Sequence, residues 1–103
     1  MKMRLLSVLF IITILLSSSE TFALTWTEQT SSGSRTWVTV TSSSDGTKLA
    51  AGVYGGYIYT STDSGANWTQ QTGSGSRNWR GVTSSSDGTK LAAGVYGGYI
   101  YTS

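Results

Sequence analysis

The chain has 103 residues, with 7 Lys and Arg, 5 Asp and Glu, and no His, Cys or Pro. This length allows one small domain at most. Without His or Cys, the chain contains no His-based catalytic triad, thiol nucleophile, disulfide framework or Cys/His zinc site. The net charge of +2 is small, and residues 24–103 contain no basic stripe. We therefore expect no nucleic-acid partner and no binding to anionic lipid.

The first 23 residues have the pattern of an export signal. Lys2 and Arg4 form a positive start, residues 5–16 are an apolar run broken by two polar residues, and a short polar stretch then leads to Ala23. This is the order of segments in a secretory signal peptide. A transmembrane helix needs about 20 apolar residues, so this run is short. We predict a signal peptide over 1–23 and a periplasmic or extracellular product that lies outside the membrane after cleavage. An uncleaved N-terminal anchor is the alternative.

The rest of the chain is an internal repeat of 42 residues. Residues 26–61 align with 68–103 without a gap, and 31 of the 36 pairs are identical. Such near-identity indicates an internal duplication, and it divides 24–103 into repeats at 26–67 and 68–103. The five differing pairs are Glu28/Gln70, Ser31/Gly73, Thr36/Asn78, Val38/Arg80 and Thr39/Gly81.

Repeats of about 40–45 residues are either helix pairs or four-stranded propeller blades. Short β-branched and aromatic runs, separated by turn signals at Asp45-Gly46 and Gly55-Gly56, favour strands. No apolar stripe with a helical period is present. We predict an all-β fold of β-propeller blades, as two four-stranded repeats. The predicted strands are 37–42, 47–54, 57–62, 67–71, 79–84, 89–96 and 99–102, and the segment 25–30 repeats the strand at 67–71.

A motif of the form Ser-x-Asp-x-Gly-x-x-Trp lies between the third and fourth predicted strands, at Ser61, Asp63, Gly65 and Trp68. It resembles the Asp-box of bacterial neuraminidase repeats, which occurs in sialidase-like β-propellers. The resemblance covers essentially all of residues 24–103, although the second repeat lacks its box.

The chemistry of this box is structural. Gly65 tolerates the positive φ of a tight turn, Asp63 can accept hydrogen bonds from backbone N–H groups of the turn, and Trp68 can pack beneath it. A catalytic or metal-binding role for Asp63 is the alternative, but one carboxylate in a tight turn lacks the oxygen ligands that calcium needs. We predict no metal, no cofactor and no catalytic residue.

Two repeats correspond to two blades, whereas propellers have 4–8 and stacked repeats bury a continuous core only when several are present. Two interpretations stay open. The chain is the start of a longer protein, or three or four copies assemble into a homotrimer or homotetramer that completes a propeller.

The leading functional hypothesis is a secreted, non-catalytic binding module for a glycan or protein ligand. Arg35 precedes a strand that starts with Trp37, and Arg77 and Trp79 repeat this arrangement. An Arg beside an exposed Trp can bind sugars or anions, so these four residues are the candidate ligand contacts. The alternative is that each Arg stacks on its Trp or pairs with a neighbouring blade.

Two further hypotheses come from the resemblance. Sialidases of this fold use an arginine cluster, a Tyr nucleophile assisted by Glu, and an acid/base Asp, so the chain could be an N-terminal fragment of such a glycosidase. Glu28 is the one Glu within 24–103, and each Asp there lies in a turn, so no catalytic set can be assigned. Related repeats also occur in photosystem II assembly and stability factors, which makes an exported assembly-factor propeller the remaining alternative.

Overall fold

The structure is a computed structural model and describes residues 23–103. The predicted signal peptide lies outside the described residues, apart from Ala23, and stays a prediction. The described residues form seven strands and two single-turn 3₁₀ helices, so the all-β class is confirmed. The strands are β1 (Trp37–Ser42), β2 (Leu49–Gly56), β3 (Ile58–Ser61), β4 (Thr69–Gln71), β5 (Arg77–Ser84), β6 (Leu91–Val95) and β7 (Ile100–Thr102), and the 3₁₀ turns are Thr30–Ser32 and Thr72–Ser74.

The strands form one curled antiparallel sheet built from two meanders. In the first meander, β1 to β4 pair in chain order, and in the second, β5 to β7 do the same. A short antiparallel ladder joins the two, in which Tyr54 of β2 pairs with Asn78 of β5 and Gly56 pairs with Arg77. The first three strands of each meander therefore come from one sequence repeat, whereas β4 comes from the start of the second repeat.

Every predicted strand from residue 37 onward has a counterpart whose ends lie within two residues of the prediction. The predicted strand at 25–30 is wrong, because residues 23–29 form no regular structure and Trp26 is 89 % exposed. A strand needs a hydrogen-bonding partner, and β4, which occupies the same repeat position, has one in β3. No strand of the described residues pairs with the segment 25–30, so this segment stays irregular.

Side chains alternate between the two faces of each meander. In the first meander, one face carries Trp37, Val40 and Ala51, and we call it the front face. The opposite face carries Gly52 and Ile58, which are paired across β2 and β3, and we call it the back face.

The second meander has the same two faces one repeat later. Its front face carries Trp79, Val82 and Ala93, which pack together. Its back face carries Gly94 and Ile100, which are paired across β6 and β7.

The front face of the second meander packs on the back face of the first, and this contact forms the core. Trp79 is 1 % exposed and lies against Ile58. Gly52 is a point of close approach, since a Cβ atom there would lie 3.3 Å from the Cβ of Trp79. The Val82 N–H also donates to Thr39 Oγ1 at 3.2 Å, across the two meanders. A side chain larger than hydrogen at position 52 would therefore push the two meanders apart.

Within residues 23–103, nothing covers the other two faces. Val40 on the front face of the first meander is 66 % exposed, whereas its repeat equivalent Val82 is half-buried. Ile100 on the back face of the second meander is 77 % exposed, whereas its equivalent Ile58 is 6 % exposed. Each meander therefore has two apolar faces, and the internal contact covers one face of each.

Candidate functional site

The two arginines among the candidate ligand contacts lie over tyrosine rings. The guanidinium carbon of Arg35 is 4.8 Å from the ring centroid of Tyr59, and that of Arg77 is 4.4 Å from the ring centroid of Tyr101. The Nε–H of each arginine donates to the backbone carbonyl three residues earlier, at 3.3 and 3.1 Å. These are cation–π contacts, and both arginines remain exposed. The sequence pattern suggested stacking on Trp, and the ring beneath each guanidinium is Tyr instead.

The two candidate tryptophans contact the same tyrosines. The ring centroids of Trp37 and Tyr59 are 5.3 Å apart, and those of Trp79 and Tyr101 are 5.6 Å apart, both with T-shaped geometry. Each indole N–H donates to a carbonyl four residues earlier, at 3.1 and 3.3 Å. Each repeat thus brings its Arg, Tyr and Trp together. Trp79 faces the protein core, whereas Trp37 stays partly open to solvent.

The Asp-box residues form one closed hydrogen-bonded turn. Asp63 accepts from the side-chain amide of Asn67 at 2.7 Å, from the Asn67 N–H at 2.9 Å and from the Ser61 hydroxyl at 2.8 Å. Ser61 Oγ accepts from the Gly65 N–H at 2.9 Å, and the Trp68 indole donates to the Gly65 carbonyl at 2.8 Å. Gly65 has φ of +92°, which favours glycine. The donors that hold the Asp63 carboxylate thus belong to its own turn.

Two further turns, at Asp45 and Asp87, hold their carboxylates in a similar way. The pKa of each of the three aspartates is lowered from 3.8 to about 2 by hydrogen bonds. The largest cause is the Asn67 amide for Asp63, the Ser43 hydroxyl for Asp45, and the backbone N–H two residues later for Asp87. A general acid that works near neutral pH needs a raised pKa, and these carboxyls have the opposite property.

The lowered pKa values predict acid destabilisation between about pH 4 and pH 2. In this range the unfolded chain binds more protons than the folded chain, so the stabilisation is present above about pH 4 and is lost as the pH falls towards 2. Thermal unfolding followed by circular dichroism at a series of pH values measures this. A variant with all three aspartates changed to Asn serves as control, and we expect it to be less stable at pH 7 and nearly independent of pH. A melting temperature for the unmodified chain that is equal at pH 5 and pH 2 would contradict the prediction.

A cavity of about 470 Å³ lies between the back face of the first meander and the front face of the second. Its floor is apolar and includes Ile58, Val82 and Tyr101. Its polar lining residues supply hydroxyl, amide and ammonium groups, and they include Lys48, Thr62, Gln71 and Ser84. No local sequence signal marks this site, because its lining comes from both repeats.

A second hollow of about 460 Å³ lies on the front face of the first meander and is lined in part by Trp37, Val40 and Trp68. This face is equivalent to the front face of the second meander, which forms one wall of the cavity. It is open to solvent because no other meander of the described part of the chain covers it.

Within residues 23–103, no cluster of three or more His, Cys, Asp or Glu side chains could hold a metal ion. In the same part of the chain, no helix is long and apolar enough to cross a membrane. No family model matches the chain, and comparisons with curated proteins and with solved structures found no match. The resemblance to Asp-box propellers therefore depends on the repeat and the motif themselves.

Proposed function

We propose that the chain is a secreted, non-catalytic β-propeller repeat protein that binds a glycan. Each meander supplies one propeller blade. The 42-residue period, the antiparallel order of the strands and the Asp-box turn support this assignment. Export is proposed from the signal-like pattern of residues 1–23.

The cavity between the two meanders carries the proposal of binding. Its volume of about 470 Å³ falls within the range of small-molecule pockets, about 300–1,000 Å³, which combine an apolar lining with a few polar groups. A sugar ring has apolar C–H faces and a rim of hydroxyl groups, so it is complementary to an apolar floor with hydroxyl and amide groups around it. Arg35 and Arg77, which both remain exposed, stay candidate contacts for a larger glycan or a protein ligand.

The aspartates favour binding over the alternative of a sialidase-like glycosidase fragment. Glycoside hydrolysis needs a protonated carboxyl to donate to the leaving group. Asp45, Asp63 and Asp87 have lowered pKa values and are held by donors of their own turns. No observation on the described residues favours the assembly-factor alternative.

The proposal predicts that filling the cavity weakens sugar binding. Ser84 lies in β5 and lines the cavity, so a Ser84→Phe substitution places a ring inside it. We expect at least a tenfold loss of affinity for the strongest binder found on an array of mono- and disaccharides, measured by titration calorimetry.

Thr83→Phe is the matched control, because Thr83 is the preceding residue of the same strand, is exposed, and points to the opposite face. We expect it to bind the same sugar with unchanged affinity. If the two variants lost affinity equally, or if the unmodified chain bound no sugar of the array, the glycan proposal would be wrong.

A further inference from the structure

We infer that the partner of the two open faces is a second copy of this chain. The front face of the first meander of one copy docks on the back face of the second meander of another. This inference uses the blade assignment proposed above but is independent of the glycan ligand.

The internal contact is the template for this docking. Inside one chain, Val82 and Trp79 pack over the face that carries Ile58. The open front face presents Val40 and Trp37 at the same repeat positions, and the open back face presents Ile100 in place of the internal isoleucine. The apolar residues that form the two sides are the same in both repeats, so the open faces are complementary to each other in these apolar contacts.

Two polar contacts of the internal interface have counterparts on the open surfaces. The Ile58 N–H donates to Ser74 Oγ at 3.1 Å, and the Ser76 hydroxyl donates to the Gly55 carbonyl at 3.3 Å. The same atoms recur one repeat away. A docked copy would place its Ser32 hydroxyl at the Ile100 N–H, and its Ser34 hydroxyl at the Gly97 carbonyl.

The unpaired segment at 25–30 points to the same relation independently. In the first meander, β4 pairs with the outer edge of β3, and the Tyr59 hydroxyl donates to Gln70 Oε1 at 2.9 Å. In the second meander, β7 is the last strand of the sheet, and its outer edge has no partner among the described residues. Residues 26–29 of the docked copy are equivalent to the segment 68–71 that contains β4. They would add a strand there, with the Glu28 carboxylate as acceptor for the Tyr101 hydroxyl.

The relation joins two different faces, so it is head-to-tail, and repeated copies form a closed ring when the rotation closes. With two blades per chain, three or four copies give six or eight blades, within the range of known propellers. The cavity between the meanders would then recur between copies.

Light scattering coupled to size-exclusion chromatography tests the inference without any sugar. We expect the unmodified chain to elute as one species with the mass of a trimer or a tetramer. A folded monomer overturns the inference, and so does an aggregate without a discrete mass.

Two single variants test which faces meet. Val40→Glu places a charge on the open front face, and Ile100→Glu places one on the open back face. Both side chains are exposed in the single chain, so its own core is unchanged. We expect each variant alone to be a folded monomer by circular dichroism and mass, a three- or fourfold loss of mass. Gln70→Glu, which copies the natural difference between the repeats at an exposed position, is the control and should keep the mass of the unmodified chain.

The decisive measurement mixes the two monomeric variants in equal amounts. The Ile100→Glu chain keeps an intact front face, and the Val40→Glu chain keeps an intact back face, so together they can form one contact and no more. We expect a heterodimer that neither variant forms alone. A mixture that remains at the mass of one chain, or an Ile100→Glu variant that keeps the mass of the unmodified chain, overturns the head-to-tail contact.

Discussion

Replacing Trp79 by Ala is expected to lower the free energy of unfolding by about 3–5 kcal/mol, the usual cost of removing a buried aromatic side chain. The indole fills the contact between the two meanders against Ile58 and Ala93, and it also forms a T-shaped aromatic pair with Tyr101. Its removal therefore leaves a large cavity at the centre of the core. Chemical denaturation followed by circular dichroism measures the loss.

Trp37→Ala is the matched control, because the same residue type occupies the same repeat position on an uncovered face. Both substitutions are best compared in the Ile100→Glu background, where the faces of one chain cannot be covered by another. We expect the Trp37 variant to lose about 1–2 kcal/mol, as the indole is only partly removed from water there. Equal losses for the two variants would show that the internal contact does not form the core.

Gly52→Val is expected to destabilise the fold by about 1–3 kcal/mol through overpacking. A Cβ atom at this position would lie 3.0 Å from Thr39 Cγ2, 3.3 Å from Trp79 Cβ and 3.4 Å from Ile58 Cδ1. Trp79 Cβ is bonded directly to the backbone and Thr39 Cγ2 is one bond further out. These two atoms therefore have little freedom to move. The midpoint of urea unfolding measures the effect.

Gly94→Val is the control at the equivalent position of the second repeat, where no atom lies within 4 Å of a built Cβ. We expect no loss of stability in the single chain, because valine suits a strand better than glycine does. The same variant should lower the mass of the assembly, because it places bulk on the open back face. If Gly94→Val destabilised the single chain as much as Gly52→Val, the close approach of the sheets would not be the cause.

The strands could be predicted from the sequence because their signals are local. β-branched and aromatic runs, and the Asp-Gly and Gly-Gly turns between them, recur in both repeats and lie within a few residues of the strands that they define. The segment 25–30 could not be predicted in this way. It has nearly the same residues as the segment that contains β4, but a strand at the edge of a sheet depends on a partner that only the tertiary structure supplies.

The candidate site shows the same limit. The turn around Asp63 could be predicted because every donor to the Asp63 carboxylate lies within the short segment 61–67. The stacking of Arg35, which precedes β1, on Tyr59 of β3 joins residues that are far apart in the sequence, although the Arg and the Tyr recur at the same spacing in both repeats. The cavity could not be predicted, because its size depends on the distance between the two packed meanders. Trp37 and Trp79 occupy equivalent repeat positions, but the residues on both sides of them differ between the repeats, and none of these differences indicates which of the two rings is buried.

Two of the differences between the repeats have a consequence for the order of assembly. Within one chain, Thr39 Oγ1 accepts the Val82 N–H at 3.2 Å, and the guanidinium carbon of Arg80 lies 5.5 Å from the ring centroid of Tyr54. At a contact between copies, Gly81 would replace the threonine and Val38 would replace the arginine. Both interactions would be lost there, so the contact between the two meanders of one chain would be stronger than the contact between two copies. The two meanders of one chain would therefore pack together before the copies associate. Dilution would separate the copies of a ring and leave the internal contact of each chain intact.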